Sequence, residues 1–233
     1  MHVAPHVTGA LQQIIEGTFI HHPTPPQRSR HWDRLDERTL AGDIAVFPWL
    51  RLARVSIGLI SESKIDLLAT TRVHFRVWPN DLDFNGHVNN GRYLALADIG
   101  RIHWFVRTGV LGVARRHKAF PIIGDAIAKF RQDLRLFQRF EIHTHLIGWD
   151  RKWGFLEHRF VSNDRVIGVV AIRGVFKGPA GPLDPGVLLA GVAHSAPSPE
   201  LPEWANCFHQ GGELLSALLR EEERLEGASG SKG

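Results

Sequence analysis

The alternation of apolar and polar residues is clearest between residues 71 and 77. There Val73, Phe75 and Val77 alternate with charged or polar neighbours, a pattern typical of a strand with one buried face. After a breaker pair at residues 79–80 the pattern changes. From residue 88 to residue 106 apolar side chains fall on nearly every side, which predicts a fully buried helix, and Gly109 supplies its stop signal.

Four further segments predict strands. They are residues 120–127 (continuing irregularly toward 134), 140–146, 153–161 and 165–176. Short turns between the later segments favour an antiparallel meander. One buried helix followed by a meander predicts an α+β fold, in which an antiparallel sheet curls around the helix, rather than alternating βαβ units.

The ends of the chain look accessory. Residues 1–42 are rich in His, Pro, Arg and Thr, and are expected to be disordered or accessory. Residues 43–226 are predicted to form a single domain, with a Pro/Gly-rich connection at 178–202 before an acidic C-terminal helix. Residues 227–233 are predicted to be a flexible tail.

Residues 47–60 predict a short amphipathic helix after Pro48, with Arg51 and Arg54 on one side. Packing against the domain itself or a partner subunit is the favoured interpretation. The alternative is a weak contact with a membrane surface.

Composition sets loose limits. The chain has 233 residues, of which 43% are hydrophobic and 22% charged, as in soluble globular proteins. Cys207 is its single cysteine, so an intramolecular disulfide and a cysteine metal cluster are excluded. No stretch resembles a signal peptide or reaches the roughly 20 apolar residues of a membrane span, and we expect a cytoplasmic protein. The formal charge of +4 is compatible with anionic ligands or with ordinary solubility.

The candidate chemistry lies in residues 81–90 (DLDFNGHVNN), where the strand pattern gives way to the helical one. Asp83, Asn85 and His87 alternate there with Phe84 and Gly86. A carboxylate, a carboxamide and an imidazole can bind and activate water beside a helix N-terminus. The unpaired N–H groups of that terminus suit a carbonyl oxygen gaining negative charge. This pattern predicts hydrolysis of an acyl ester or thioester.

The chain resembles the hotdog-fold thioesterases of the 4-hydroxybenzoyl-CoA type, over roughly residues 45–225. It is most similar to the thioesterase-like branch that includes membrane-anchored mammalian members. The resemblance rests on the decapeptide and on residues 78–83 (WPNDLD), 89–94 (NNGRYL), 148–150 (GWD) and 199–202 (PELP).

The resemblance implies a catalytic carboxylate at Asp83. Plant acyl-ACP thioesterases carry a similar Asp-x-Asn-x-His run, which matches Asp83, Asn85 and His87. It also implies a homodimer or dimer of dimers with active sites at the subunit interface, and no metal or redox cofactor.

Several roles stay open. Asp83 is either a general base toward water or a nucleophile that forms a transient mixed anhydride. Asn85 would orient the water or hold the carboxylate. His87 would position Asn85, assist proton transfer or bind the thioester carbonyl. Asp81, the rival carboxylate, is interpreted as a turn residue. Substrate binding is assigned to the start of the helix and to two cationic side chains. The residues at the helix start are Asn89, Asn90, Gly91 and Tyr93, of which Asn89 and Asn90 also cap the helix. The cationic residues are Arg131 and Arg151.

Other polar groups carry weaker hypotheses. His143 and His145 share a strand face, but no further ligand spacing supports a metal site. Asp98 and Arg101 are interpreted as an ion pair or partner contact. Basic residues around 129–135 and 151–152 form either a solvated rim or a site for the CoA diphosphate. They lack the interleaved aromatic residues of a nucleic-acid channel.

The sequence therefore predicts an acyl thioesterase that converts an acyl-CoA, or an acyl-ACP, to a carboxylic acid and a thiol. Two alternatives stay open. One is a non-catalytic hotdog module for acyl binding or scaffolding, and the other, less favoured, is a hotdog hydratase or dehydratase.

Overall fold

The computed structural model describes residues 49–58 and 62–230, except for the side chains of 56–58 and 228–230. Its helices are α1 (Trp49–Gly58), α2 (Asn90–Arg107), α3 (Val110–Arg116), α4 (Pro185–Gly191) and α5 (Glu203–Gly230). Its strands are β1 (Thr71–Arg76), β2 (Phe120–Phe130), β3 (Arg139–Trp149), β4 (Gly154–Ser162), β5 (Arg165–Gly178) and β6 (Gly181–Pro182). A short 3-10 turn, Pro79–Asp81, follows β1.

The strands form one antiparallel sheet in the order β1-β3-β4-β5-β2, and β6 pairs with β5. Strands β3, β4 and β5 form the predicted meander. Strand β2, for which the sequence predicted no neighbour, pairs with β5 at the edge. Periodicity identifies the buried face of a strand, whereas its neighbour in the sheet depends on tertiary packing.

Helix α2 is wrapped by the sheet, as predicted, and contacts β1, β3, β4 and β5. Leu96, Ile99 and Trp104 are each at most 2% exposed. The closest approach is at Gly100, where a Cβ would lie 2.7 Å from Oγ1 of Thr144, so any larger residue would push the helix off the sheet. A curled antiparallel sheet around a buried helix is the hotdog fold.

Two helices were not predicted. Helix α3 begins directly after Gly109, two residues beyond the end of α2 at Arg107. Helix α4 lies inside the segment predicted as an irregular connection. It is capped by Asp184, whose Oδ1 accepts a hydrogen bond from the Gly186 N–H at 2.7 Å. Because α4 is short and rich in glycine and proline, its composition was that of a loop.

Helix α5 begins as predicted but continues to Gly230, four residues into the predicted flexible tail. Its N-terminal half packs on the outer face of the sheet through Ala205, beside Ile147 and Phe155. Arg173, 1% exposed, anchors it by binding Glu213 of α5 and Asp125 of β2.

The predicted accessory segment 1–42 lies outside the described residues. Among the helices that are described, none has the length and hydropathy of a membrane span.

Helix α1 packs on its own domain, in agreement with the favoured interpretation. Leu52 and Val55 contact the main core, whereas Leu50 is 89% exposed. The Arg51 guanidinium reaches the last residue of β1, where its Nη2 donates to the Arg76 carbonyl at 2.6 Å. The helix is thereby tied to the end of β1, where the candidate chemistry begins.

Burial of His158 predicts an acid-sensitive stability. Burial, followed by the nearby positive charge of Arg101, lowers the pKa of His158 from 6.5 to about 3. Since the unfolded chain binds this proton near pH 6.5 and the folded chain does not, stability is full above pH 6.5 and falls as the pH drops toward 3. We expect a loss of roughly 3 kcal/mol in the free energy of unfolding between pH 6.5 and about 4.

Urea unfolding across this pH range, with His158→Gln as the matched variant, measures this loss. Gln preserves a hydrogen-bonding side chain at the Thr144 contact but does not titrate. The wild type should lose stability more steeply than the variant as the pH falls. Parallel curves would show that His158 is not the responsible group.

Candidate functional site

The decapeptide folds into a corner between β1 and α2. After the 3-10 turn, residues 83–87 form a tight turn closed by two backbone hydrogen bonds. The Asp83 N–H donates to the His87 carbonyl at 2.9 Å, and the Gly86 N–H donates to the Asp83 carbonyl at 3.0 Å. Gly86 has a φ of +74°, a left-handed conformation that favours glycine. The turn therefore holds the three predicted catalytic residues within a few positions of the helix start.

Asp81 is buried beneath this corner, with 1% exposure. Its two carboxylate oxygens accept hydrogen bonds from Arg51 at 2.8 and 2.6 Å, and Oδ2 also accepts the Trp78 N–H at 2.8 Å. Arg92 of α2 lies 3.6 Å away. Asp81 is a turn residue, as interpreted, but it also joins α1, the end of β1 and α2 through one carboxylate. We call Asp81, Arg51 and Arg92 the Asp81 clamp.

Asp83 has different surroundings. It is partly exposed, and Oδ1 accepts the backbone N–H of Asn85 at 2.9 Å. Among the described residues, no Lys, Arg or His forms an ion pair with Asp83. Its second carboxylate oxygen is therefore available to water or substrate. Of the two carboxylates in the motif, Asp81 is occupied by its clamp and Asp83 is open.

Asn85 and His87 share the turn, but within the described structure no hydrogen bond joins their side chains to the Asp83 carboxylate. Asn85 is exposed. Nδ1 of His87 lies 3.6 Å from Oδ2 of Asp133, in the loop after β2. Sequence reasoning missed Asp133, because nothing in its surrounding residues marks it and only the fold brings it to the corner.

The start of α2 supplies one unpaired donor. The Asn89 N–H donates to the Asp81 carbonyl at 2.8 Å, and Oδ1 of Asn89 accepts the Gly91 N–H at 2.9 Å, which confirms that Asn89 caps the helix. The Asn90 N–H has no hydrogen-bond partner in the described part of the chain. Of the three predicted backbone donors, Asn90 is thus the one that remains for a substrate oxygen.

Tyr93 forms the floor of the corner. It is 3% exposed, and its ring packs 5.0 Å from Phe130 and 4.8 Å from Phe160, measured between centroids. Burial, followed by the negative charge of Asp133, raises the pKa of Tyr93 to about 12. The phenol therefore stays protonated and neutral at physiological pH.

The two predicted cationic residues lie in different places. Arg131 is exposed in the loop after β2, where its Nη1 donates to the Val166 carbonyl at 3.2 Å. The same loop flanks the corner, since the Leu134 carbonyl accepts the Val88 N–H at 3.0 Å. Arg151 follows β3 at the end remote from Arg139, which pairs with the end of β1. Arg131 thus lies on the loop that flanks the corner, whereas Arg151 lies at the far end of β3.

The two histidines considered as metal ligands, His143 and His145, are each paired with a glutamate. Nε2 of His143 lies 2.6 Å from Glu141, and Nε2 of His145 lies 3.2 Å from Glu157. A metal-binding cluster of His, Cys, Asp and Glu is absent from residues 49–58 and 62–230. The Asp98–Arg101 ion pair is present, at 2.7 Å.

The contrast between the two carboxylates predicts different effects on stability. Asp81→Asn leaves buried guanidinium groups without their counter-charge, and should lower the free energy of unfolding by roughly 3 kcal/mol. Asp83→Asn keeps an acceptor for the Asn85 N–H and should change it by less than about 1 kcal/mol. Urea unfolding of both variants measures this difference. Equal losses would contradict the assignment of the clamp to Asp81.

Comparison with known proteins identifies one matching family model and several similar proteins. A family model described as "Thioesterase-like superfamily" matches residues 77–188. "Protein THEM6" of Danio rerio is 39% identical over 124 residues, 53% of this chain and 61% of that protein. The Drosophila melanogaster protein of the same name is 28% identical over 170 residues, 72% of this chain and 86% of its own length.

A solved structure, "BH1999 gentisyl-coenzyme A thioesterase", is 26% identical, with a TM-score of 0.46 over 53% of this chain and 100% of that one. The match to the Danio rerio protein leaves more than a third of that relative's length uncovered. The family-model match contains the corner, α2 and the whole meander. Residues 77–188 of the chain are therefore similar to the thioesterase-like superfamily.

Proposed function

We propose that this protein is a thioester hydrolase that converts an acyl-CoA, or an acyl-ACP, to a carboxylic acid and a thiol. The observation that carries the proposal is the open carboxylate of Asp83 on the turn that leads into α2, together with the first N–H of that helix, at Asn90, which is unpaired in the described structure. A base or nucleophile and an oxyanion donor are the two elements that thioester cleavage requires. The match of residues 77–188 to a family model described as thioesterase-like supports the same class.

In this proposal, Asp83 acts at the thioester carbonyl. As a general base it removes a proton from water while the water oxygen attacks the carbonyl carbon. As a nucleophile its own oxygen attacks, and water then hydrolyses the mixed anhydride. In both routes the carbon–sulfur bond breaks, and the thiolate leaves with the electron pair. The Asn90 N–H donates to the carbonyl oxygen as it becomes negative.

His87 has a supporting role in the proposal. Its contact with Asp133 holds the imidazole at the edge of the turn, where it can pass a proton to the leaving thiolate. Asn85, exposed on the same turn, would orient the attacking water. Arg131, on the flanking loop, would contact the phosphates of the thiol carrier.

We further propose a homodimer, alone or within a dimer of dimers, formed through β2. This strand lies at one edge of the described sheet, and ten of its eleven positions are exposed. Phe120, Ile122 and Ile127 are 71%, 44% and 45% exposed. A long apolar edge strand is a template for pairing with another strand. A partner there would also cover the loop that carries Asp133 and Arg131.

For the cellular setting, we propose the cytoplasm, since the apolar face of α1 contacts the protein core through Leu52 and Val55. A weak membrane contact would have to use the remaining exposed apolar surface of α1, such as Leu50.

Loss of the Asp83 carboxylate should abolish turnover. With a panel of acyl-CoAs assayed by release of free thiol, Asp83→Ala should lower kcat by at least about 100-fold. Asp66→Ala is the matched control. Asp66 also accepts a backbone N–H two residues ahead, that of Leu68 at 2.8 Å, but lies outside the corner. Its kcat should equal that of the wild type.

The same assay separates the alternatives. Full activity in a folded Asp83→Ala protein would rule out the proposed chemistry. A wild type that binds acyl-CoA without releasing thiol would be a binding module. One that adds water to an enoyl-CoA without releasing thiol would be a hydratase.

Disruption of the β2 edge should produce monomers. Ile127→Lys places a charge in the exposed strand, and light scattering after size-exclusion chromatography should show that the dimer is lost. Val187→Lys, at a 36% exposed position on α4, is the control and should remain dimeric. A dimeric Ile127→Lys protein would contradict pairing through β2.

A further inference from the structure

A second site lies at the other end of α2. An apolar cavity opens between the C-terminal half of this helix, the sheet and α4. Trp104, Phe105, Leu156, Ile172, Phe176 and Leu188 are among its lining residues. Nothing in the corner chemistry uses this cavity. About three turns of helix, or roughly 16 Å, separate Asn90 from the level of Arg101, where the cavity begins.

The charges around the cavity have one sign. Arg101 and Lys152 line it, and the other lining residues in the described part of the chain are uncharged. Lys152 lies at the surface, where its Nζ is 4.3 Å from the centroid of the Trp153 ring. An apolar cavity with cations and no carboxylate among its lining residues favours an anionic ligand over a neutral or cationic one.

Arg101 is the important group because it is only 9% exposed. Its Nη2 donates to Oδ1 of Asp98 at 2.7 Å, whereas Nη1 is buried and has no hydrogen-bond partner within residues 49–58 and 62–230. A buried N–H without an acceptor is unfavourable, more so in a charged group. A guanidinium can bind a second carboxylate through the nitrogen that Asp98 leaves free.

We propose that this cavity binds an aliphatic carboxylate, with the carboxylate on Arg101 and the chain among the apolar residues. Two molecules offer this chemistry. One is a free fatty acid, such as the product of hydrolysis. The other is a thioester whose acyl chain ends in a second carboxylate. For the latter, the 16 Å between Asn90 and Arg101 corresponds to an extended chain of roughly a dozen carbons. This second case rests on the proposed function, whereas the first does not.

Binding is measured with dodecanoate, dodecanol and dodecylamine, by titration calorimetry and by the fluorescence of Trp104 and Trp149, which both line the cavity. The wild type should bind dodecanoate at least about tenfold more tightly than the other two ligands. Arg101→Met keeps the aliphatic stem and should lose that preference, while Arg101→Lys should retain part of it. Arg107→Met, on the next turns of α2, is the matched control and should bind like the wild type.

A second variant tests the location. Leu188→Trp fills the cavity from α4 and should abolish binding of all three ligands. Unchanged dodecanoate binding in Arg101→Met, or equal affinity of the wild type for dodecanoate and dodecanol, would overturn the proposal. So would dodecanoate binding that survives in a folded Leu188→Trp protein.

Turnover distinguishes the two ligand sources. A preference for the CoA thioester of dodecanedioate over dodecanoyl-CoA, lost in Arg101→Met, identifies the acyl chain as the ligand. Equal kcat/KM values with tight dodecanoate binding identify a free fatty acid. Asp83→Ala should bind dodecanoate normally. Thiol release that persists in a folded Asp83→Ala protein with intact dodecanoate binding would contradict the hydrolase proposal alone. Thiol release that depends on Asp83, in a wild type that does not bind dodecanoate, would contradict this proposal alone.

Discussion

One buried carboxylate determines the geometry of the candidate site. The Asp81 carboxylate is 1% exposed and accepts hydrogen bonds from both terminal guanidinium nitrogens of Arg51 and from the Trp78 N–H. It also forms an ion pair with Arg92. Burying a charge is unfavourable unless it is paired and hydrogen-bonded, so this arrangement is stable only as a complete set. It fixes α1, the end of β1 and the start of α2 relative to each other. The turn that carries Asp83 is held in place by this set.

The two acids of the motif have different surroundings and different roles in the candidate site. The motif places Asp81 and Asp83 two residues apart, so that one points into the protein and the other toward solvent. The buried acid positions the backbone, since its own carbonyl accepts the Asn89 N–H. That bond and the Asn89 cap use up two of the N–H groups at the start of α2 and leave the third, at Asn90. A rigid clamp beneath an open carboxylate is the type of preorganised support that electrostatic catalysis needs.

The parts of this structure that sequence predicts are those determined by local pattern. Alternation identified β1, apolar residues on all sides identified α2 as buried, and turn residues identified the meander. The preference for Asp83 over Asp81 came from the resemblance to hotdog-fold thioesterases and not from local pattern. What sequence did not supply depends on contacts between distant segments. Arg51 meets Asp81 from a separate helix, Asp133 reaches His87 from the loop after β2, and β2 pairs with β5 only through the folded sheet.

The same distinction applies to the cavity. Arg101 was assigned correctly to an ion pair, because Asp98 is one helical turn away. Its second, unpartnered nitrogen became visible only once burial was known. The sequence did not predict the cavity residues that α4 contributes, because that helix has the composition of a loop. Local spacing thus identifies a pair of charges, whereas a binding site also requires knowledge of which groups the fold leaves unsatisfied.

The central claim is that Asp83 reacts and Asp81 supports. Its most direct test is kcat for one acyl-CoA in Asp81→Asn and Asp83→Asn, at a temperature where circular dichroism shows both to be folded. Asp81→Asn should keep turnover within about tenfold of the wild type, and Asp83→Asn should lose at least about 100-fold. The opposite order, with an active Asp83→Asn and an inactive but folded Asp81→Asn, would contradict the account.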